Sequence, residues 1–267
     1  HLSTLAFSES STRSQFWTPT GTAVRQNDKI VLNAHKSWVT SASHASSYVW
    51  SSQPYEADGL STLWLVPANT NGLSIEGSFD GLGLRGNDSS PVTAKDVRIP
   101  LSARLGSDGK GLDIILETVL PLFSILNSAC SLGLMETSVS KAVEHAKRTR
   151  FEHIDSALAD LSTIRNYIGR VRVNTDSVRA LLEDTLRATE SCRPDAMLRV
   201  LECKAAAGES TTRVLDTAMR ICGGSAFRKE NGIERFFRDA RAATVMGPTT
   251  DALYDFIGKV ACGQEVF

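Results

Sequence analysis

Trp38 and Thr40 stand two residues apart in Lys36-Ser37-Trp38-Val39-Thr40-Ser41, a flat apolar wall beside a hydroxyl. A planar heteroaromatic ring with a polar edge needs both. Near the start of the chain, Ser8 and Ser14, the first of them next to Phe7, add hydroxyls suited to such an edge or to phosphates. Further on, Arg148 with Phe151, and Arg220 ahead of Gly223-Gly224, supply cations and glycines. A cation meets a diphosphate, and glycines let backbone come close to a ligand. Each group has an ordinary reading too: Trp38 packed into a strand core, Arg148 solvated at a helix end, the two glycines a helix cap. Asp251, in Gly247-Pro248-Thr249-Thr250-Asp251, is a candidate for a base, a carboxylate one helical turn past Gly247. Its ordinary reading is a first-turn carboxylate stabilised by the helix dipole. Of the five histidines, His145 and His153 are eight apart with a loop signal between them, so no metal site is expected.

The elements that must position these residues fall into two halves. Lys29-Ile30-Val31-Leu32 after the turn Asn27-Asp28, Ser47-Tyr48-Val49-Trp50, Thr62-Leu63-Trp64-Leu65-Val66, Leu73-Ser74-Ile75 and residues 92–99 read as short strands. Gly, Pro, Asn or Asp bounds each of them. Residues 1–105 are therefore expected to form an antiparallel β-sandwich or barrel. Beyond the Gly-rich loop 106–111 the period changes. Leu161, Ile164, Ile168, Val171, Thr175, Val178 and Leu182 step by three and four along one helix face, and Leu198, Leu201, Ala205, Gly208, Thr212, Leu215, Met219 and Cys222 along the next. Pro194 suits the first turn of that second helix and Gly223-Gly224 its end. With 131–150 and 249–263, residues 106–267 are expected to form an antiparallel four-helix bundle, giving an α+β protein.

Hydrophobic content of 42% and charged content of 22% are ordinary for a globular protein. A net charge of −1 gives no reason to expect nucleic acid or an anionic membrane as partner. The longest apolar run, 112–126, is broken by Asp113, Glu117 and Pro121, so no membrane span is expected. Five scattered cysteines without C-x-x-C spacing favour reduced thiols inside a cell, in the cytoplasm or, in a eukaryote, a mitochondrion or peroxisome.

Several motifs resemble the acyl-CoA dehydrogenase family, in its order and at its spacing. Ala6-Phe7-Ser8-Glu9 to Ser14 looks like C-x-T-E-P-x-x-G-S, and Lys36 to Ser41 like K-x-W-I-T-N. Leu82-Gly83-Leu84-Arg85-Gly86-Asn87 and Asp96-Val97-Arg98-Ile99-Pro100 are similar to G-x-R-x-S and D-V-x-V-P. Arg148 and Phe151 match R-x-x-F, Arg220-Ile221-Cys222-Gly223-Gly224 matches Q-I-x-G-G, and Arg238-Asp239-Ala240-Arg241 matches R-D-A-R/K. The resemblance implies FAD. Its ring would lie against Phe7, Ser8, Ser14, Trp38, Val39 and Thr40, with Thr249 and Asp251 near it. Its adenosine side would be met by Arg148, Phe151, Arg220, Gly223 and Gly224 of a neighbouring subunit. It also implies a homodimer or homotetramer, and a small-molecule or acyl-thioester substrate. Two departures stand out: Glu152 replaces the glycine after the phenylalanine, and Arg220 replaces the glutamine. The family carries a helical domain ahead of the point where this chain opens. A fragment, or a homologous partner subunit that supplies those helices, would account for that.

The family's base is the glutamate of Y-E-G-T, and here that position is Gly247. Some members carry the glutamate on the first bundle helix; the corresponding position is Phe123, followed by Ser124. Neither can take a proton from carbon. Three functions stay open: a flavin oxidoreductase with altered chemistry, such as a monooxygenase; a dehydrogenase with a carboxylate relocated to Asp251 or Glu117; and a silent subunit completing a partner's flavin site.

Overall fold

The computed structural model describes residues 1–266, which form one unit over His1–Leu120 and a second from Pro121 onward. The strands of the first are β1 (Ser3–Ala6), β2 (Thr22–Gln26), β3 (Lys29–Val39), β4 (Ser47–Ser52), β5 (Thr62–Pro67), β6 (Leu73–Ile75), β7 (Ser90–Pro100) and β8 (Arg104–Leu105). They make two four-stranded sheets, ordered β1-β4-β5-β8 and β2-β3-β7-β6. Pairing is antiparallel except between β1 and β4, which run parallel with Ala6 opposite Trp50. Alternate residues of both sheets point into one core: Ile30, Leu32 and Val39 of β3, Val92, Val97 and Ile99 of β7, Tyr48 and Trp50 of β4, Trp64 and Val66 of β5. Trp64 satisfies its indole N–H on Ser52 Oγ at 2.8 Å, so the ring is buried without an orphaned donor.

A slip in β3 matters most for the site. Lys36 pairs with Val92 and Val39 with Ser90, so three steps on β3 match two on β7. Strict alternation would bury Trp38 along with Lys36. The extra residue of the bulge turns Trp38 outward, 65% exposed, and turns Val39 into the core. The unit ends in a short helix, α1 (Gly111–Ile114), and a π-helical turn, Ile115–Val119. Ile115 packs with Phe7, Phe16 and Leu63 in a second, smaller cluster.

In the second unit the elements are α2 (Leu120–Arg148), a hairpin of β9 (Arg150–Phe151) and β10 (Ser156–Ala157), α3 (Ser162–Glu190), α4 (Ala196–Cys222), short helices α5 (Ile233–Asp239) and α6 (Ala242–Val245), and α7 (Thr250–Ala261). The long helices follow the apolar periods of the sequence. Val171, Val178 and Leu182 of α3 meet Leu132, Met135 and Val139 of α2 and Cys203, Ala207 and Val214 of α4. The α3 stripe is thus used up inside the bundle and is not a free surface for joining subunits. Pro194 lies two residues before α4 rather than in its first turn, where Arg193 ties Asp184 (2.8 Å) to Asp195 (2.5 Å). Gly223 caps α4 with φ 54° and ψ −138°, a backbone open to glycine. The helical stretch Gly111–Arg148 is long and apolar enough to cross a membrane by length and composition alone, despite its charged breaks. Leu132, Met135, Val139, Ala142 and Ala146 pack inside the bundle, while Leu122 and Leu126 stay exposed.

Candidate functional site

In the first unit an ion pair fastens the segments that carry Ser8 and Trp38. Lys36 is fully buried, and its Nζ donates to Glu9 Oε1 at 2.6 Å, to the Ser51 carbonyl at 2.8 Å and to Ser51 Oγ at 2.9 Å. Glu9 also accepts from the Thr20 N–H and hydroxyl, both at 2.7 Å, and from the Gly21 N–H. Burial alone raises a carboxyl's pKa; here the Lys36 charge and these hydrogen bonds outweigh it and hold Glu9 below its ordinary value. Burial lowers Lys36 to about 8, with Glu9 opposing the fall. Gly21 is required at this spot, since a Cβ would come within 2.5 Å of the Ala34 Cβ and 2.9 Å of Glu9 Oε1. The pair joins the Ser8 segment to β3, and the Ser37 N–H adds a bond to the Ser8 carbonyl at 2.9 Å.

On that platform Trp38 stands exposed, edge-on to Phe79 at 6.2 Å between ring centroids. Thr40 is exposed beside it, its carbonyl accepting from Thr4 Oγ1 at 2.7 Å and its hydroxyl 3.4 Å from Ser89 Oγ. Ser8 and Ser14 are half-buried. Phe7 and Val39 are buried in core clusters, so their side chains are closed to a ligand.

In the second unit Arg148 is exposed and pairs with Glu144 at 2.5 Å. Phe151 is half-buried on β9, with His153 edge-on to its ring at 6.2 Å. Arg220 lies 4.8 Å above the Tyr167 ring and donates to its hydroxyl at 2.8 Å. A Cβ added at Gly224 meets nothing within 4 Å, so packing within the unit does not call for that glycine. Directly after it, Ser225, Arg228, Lys229, Glu230 and Asn231 line an open pocket of about 510 Å³.

The loop before α7 carries the largest surprise. Thr249 caps α7, its Oγ1 accepting from the Ala252 N–H at 3.3 Å. Asp251 is exposed in the first turn. Pointing at the loop from α4 is Lys204, fully buried, donating to the carbonyls of Met246 at 3.0 Å and Pro248 at 2.7 Å. The Phe123 ring centroid is 5.8 Å from its Nζ. Burial brings Lys204 down to about 8. Lysine at a stripe position, three residues after Leu201 and four before Gly208, was the sign that went unread.

Residues 109–262 match the family model described as acyl-CoA dehydrogenase, C-terminal domain, and residues 4–97 match that of the middle domain. The chain belongs to the acyl-CoA dehydrogenase family. It is 29% identical over 250 residues to the human mitochondrial short-chain specific acyl-CoA dehydrogenase, covering 92% of this chain and 59% of that one. A probable acyl-CoA dehydrogenase of Bacillus subtilis (strain 168) is 26% identical over 232 residues, 86% of this chain and 60% of the relative. The chain thus spans about 60% of the length of these curated relatives. Among solved structures, a glutaryl-coenzyme A dehydrogenase complex with glutaryl-CoA superposes with a TM-score of 0.92 at 21% identity, over 98% of this chain and 66% of that one. Butyryl-CoA dehydrogenase from Megasphaera elsdenii gives 0.91 at 21% identity, over 98% and 68%. At that identity the superpositions establish the fold.

Positions 247 and 123, which the resemblance marks for a base, hold no carboxylate. Gly247 has none to offer, and its flanking carbonyls are taken by Lys204; Phe123 lies over the same ammonium. Ser124, next to it, is fully buried.

Proposed function

We propose that this protein binds FAD and is a flavin-dependent oxidoreductase whose chemistry does not use a carboxylate at position 247. The residues present suit the cofactor. Trp38, exposed on a bulge and held from below by Lys36 and Glu9, offers the ring a wall; Thr40, exposed beside it, offers a hydroxyl at the polar edge. Arg148, Arg220 and the Gly223-Gly224 turn suit a diphosphate and adenosine from a neighbouring copy in a homodimer or homotetramer. FAD would supply a two-electron acceptor. What the chain supplies is binding, orientation and the charge around the reacting atoms.

The observation that carries the altered chemistry is the Lys204 ammonium bracketing Gly247. An α,β-dehydrogenation removes a proton from the α-carbon and a hydride from the β-carbon. A positioned base is worth about 10²–10⁴-fold in such a step. Here the place for it has a cation behind it and no side chain in front. Oxygenation of a small molecule by reduced cofactor and dioxygen makes no such demand on position 247. A second reading, dehydrogenation of an acyl thioester with Asp251 as base, draws on the names of the relatives, which are acyl-CoA dehydrogenases. The structure puts Asp251 in the exposed first turn of α7. That is where a carboxylate is stabilised by the helix dipole as a solvated anion.

Protein supplied with FAD should show a bound-flavin spectrum. Dithionite-reduced protein should then consume dioxygen. Acyl-CoAs added without oxygen should leave the flavin oxidised. Bleaching by an acyl-CoA supports the second reading. Loss of flavin under all these conditions rejects both.

A further inference from the structure

Lys204 is a fully buried ammonium with no Asp or Glu partner among the described residues, and desolvation alone accounts for its lowered pKa. Buried charges are normally paired. This one is met by two main-chain carbonyls, Met246 and Pro248, and by the face of Phe123. Carbonyl dipoles and a ring quadrupole all present negative charge to a cation. One helical turn further along α4, a Cβ at Gly208 would come within 3.2 Å of Thr250 Oγ1 and 3.5 Å of the Ala243 carbonyl. The segment 243–250 therefore lies directly on α4, and Lys204 reaches up into it. Asn127 Nδ2 meets Met246 Sδ at 3.4 Å from the α2 side. Three polar atoms bordering this seat, Ser124 Oγ, Asn127 Oδ1 and Thr250 Oγ1, are buried without a partner in the chain.

We propose that Lys204 is the positioning residue of the 246–249 loop, fixing the backbone on both sides of Gly247 and leaving a fixed positive charge directly behind the position that carries a carboxylate in the Y-E-G-T pattern. Both effects follow from one geometry. Neither hydrogen bond can be replaced by water while the lysine stays buried, so the loop's carbonyls are held inward. No carboxylate neutralises the charge, and low-dielectric surroundings extend its reach. The ligand chemistry suited to such a place is an oxygen that carries or gains negative charge. This deepens the functional reading above and rests on it for the nearness of a flavin.

The test has an arm that needs no cofactor. In Lys204→Met and Lys204→Gln, amide exchange of a peptide covering residues 244–252 should be at least about tenfold faster, with α3 protection unchanged. With FAD bound, Lys204→Met should shift the flavin midpoint potential to more negative values, because a nearby cation favours the reduced, more anionic cofactor. A lysine that only filled space would leave the potential where it was. Should both variants fail to fold, the unmutated protein decides the matter. Through-hydrogen-bond NMR couplings from Lys204 ¹⁵Nζ to the carbonyl carbons of Met246 and Pro248 are expected. Unchanged exchange at 244–252, or absence of both couplings, overturns the proposal. A protein that never binds FAD rejects the functional reading instead, and the exchange result still judges this one.

Discussion

The Nζ of Lys36 lies 2.6 Å from Oε1 of Glu9, and both side chains are buried while Trp38 and Thr40 nearby in the chain stand exposed. The two belong to segments 27 positions apart. The exposed part of each segment is expected to touch the cofactor; the buried part fastens them together. Removing one partner of such a pair leaves an uncompensated charge, at a cost of about 3–5 kcal/mol. Glu9→Gln should therefore lower the denaturation midpoint steeply, and Lys36→Met combined with Glu9→Gln should recover part of the loss. Glu9 has a folded pKa below its ordinary 4.5. Its contribution is present above that pH and fades as pH falls through the folded value. The acid-unfolding limb of Glu9→Gln should be correspondingly shallower. A Glu9→Gln protein as stable as the parent would show the pair to be unimportant.

Lys204 gives a pH signature of opposite sense. Its pKa is about 8 in the folded chain against 10.5 as a free side chain. Between those values the unfolded state binds more protons, so stability rises with pH across the window. Below pH 8 the penalty of the buried cation is fully present. A shift of this size corresponds to about 3 kcal/mol. Subtracting the unfolding free energy of Lys204→Met from that of the parent at each pH removes the contribution of Lys36, which both proteins share. The difference should climb by about that amount on going from below 8 to above 10.5. A flat difference would mean that Lys204 keeps its ordinary pKa in the folded chain, its charge solvated or compensated.

Trp38→Ala separates binding from folding. The side chain is 65% exposed and makes one edge contact, to Phe79. Exposed substitutions usually stay within about 0.5 kcal/mol. Thermal unfolding of the apoprotein should barely move, while FAD affinity should fall at least about tenfold if the indole stacks on the ring. Equal losses in both would make Trp38 an ordinary structural residue.

The long helices and most strands were readable because burial imposes a period on sequence, 3.6 on α3 and α4 and two on β4 and β5. What could not be read came from interactions that carry no period. The bulge in β3 shows itself only in the pairing of Lys36 with Val92 and Val39 with Ser90. Alternation alone would have buried Trp38. The parallel β1–β4 pair depends on chain path, not on residue type. A sequence does not say which neighbour covers an apolar face; for the α3 stripe Leu132, Met135, Cys203 and Val214 do so from within. Lys204 was passed over for a similar reason. Its partners are main-chain carbonyls 42 and 44 positions away, and a carbonyl has no letter in the sequence.

The sharpest test of the chemistry is at Gly247. Acyl-CoA added anaerobically to the flavin-loaded parent should leave the flavin oxidised, since the α-proton has no acceptor at 247 or at Phe123. Gly247→Glu would place a carboxylate between carbonyls already held by Lys204, close to its charge. That neighbour favours the ionised form and should hold the new carboxyl below an otherwise buried glutamate's pKa. α-Proton exchange of a thioester with solvent deuterium should then appear in Gly247→Glu if the pocket admits the substrate. A gain of about 10²-fold over the parent would match the lower end of what a positioned base supplies. In Gly247→Glu with Lys204→Met, the carboxyl loses the cation, and the pH at which exchange sets in should move upward. Asp251→Asn is the control on the other side. Asp251 is an exposed first-turn residue of α7, and its loss should change none of these results. Rapid bleaching of the parent by an acyl-CoA, abolished in Asp251→Asn, would overturn this account and make Asp251 the base.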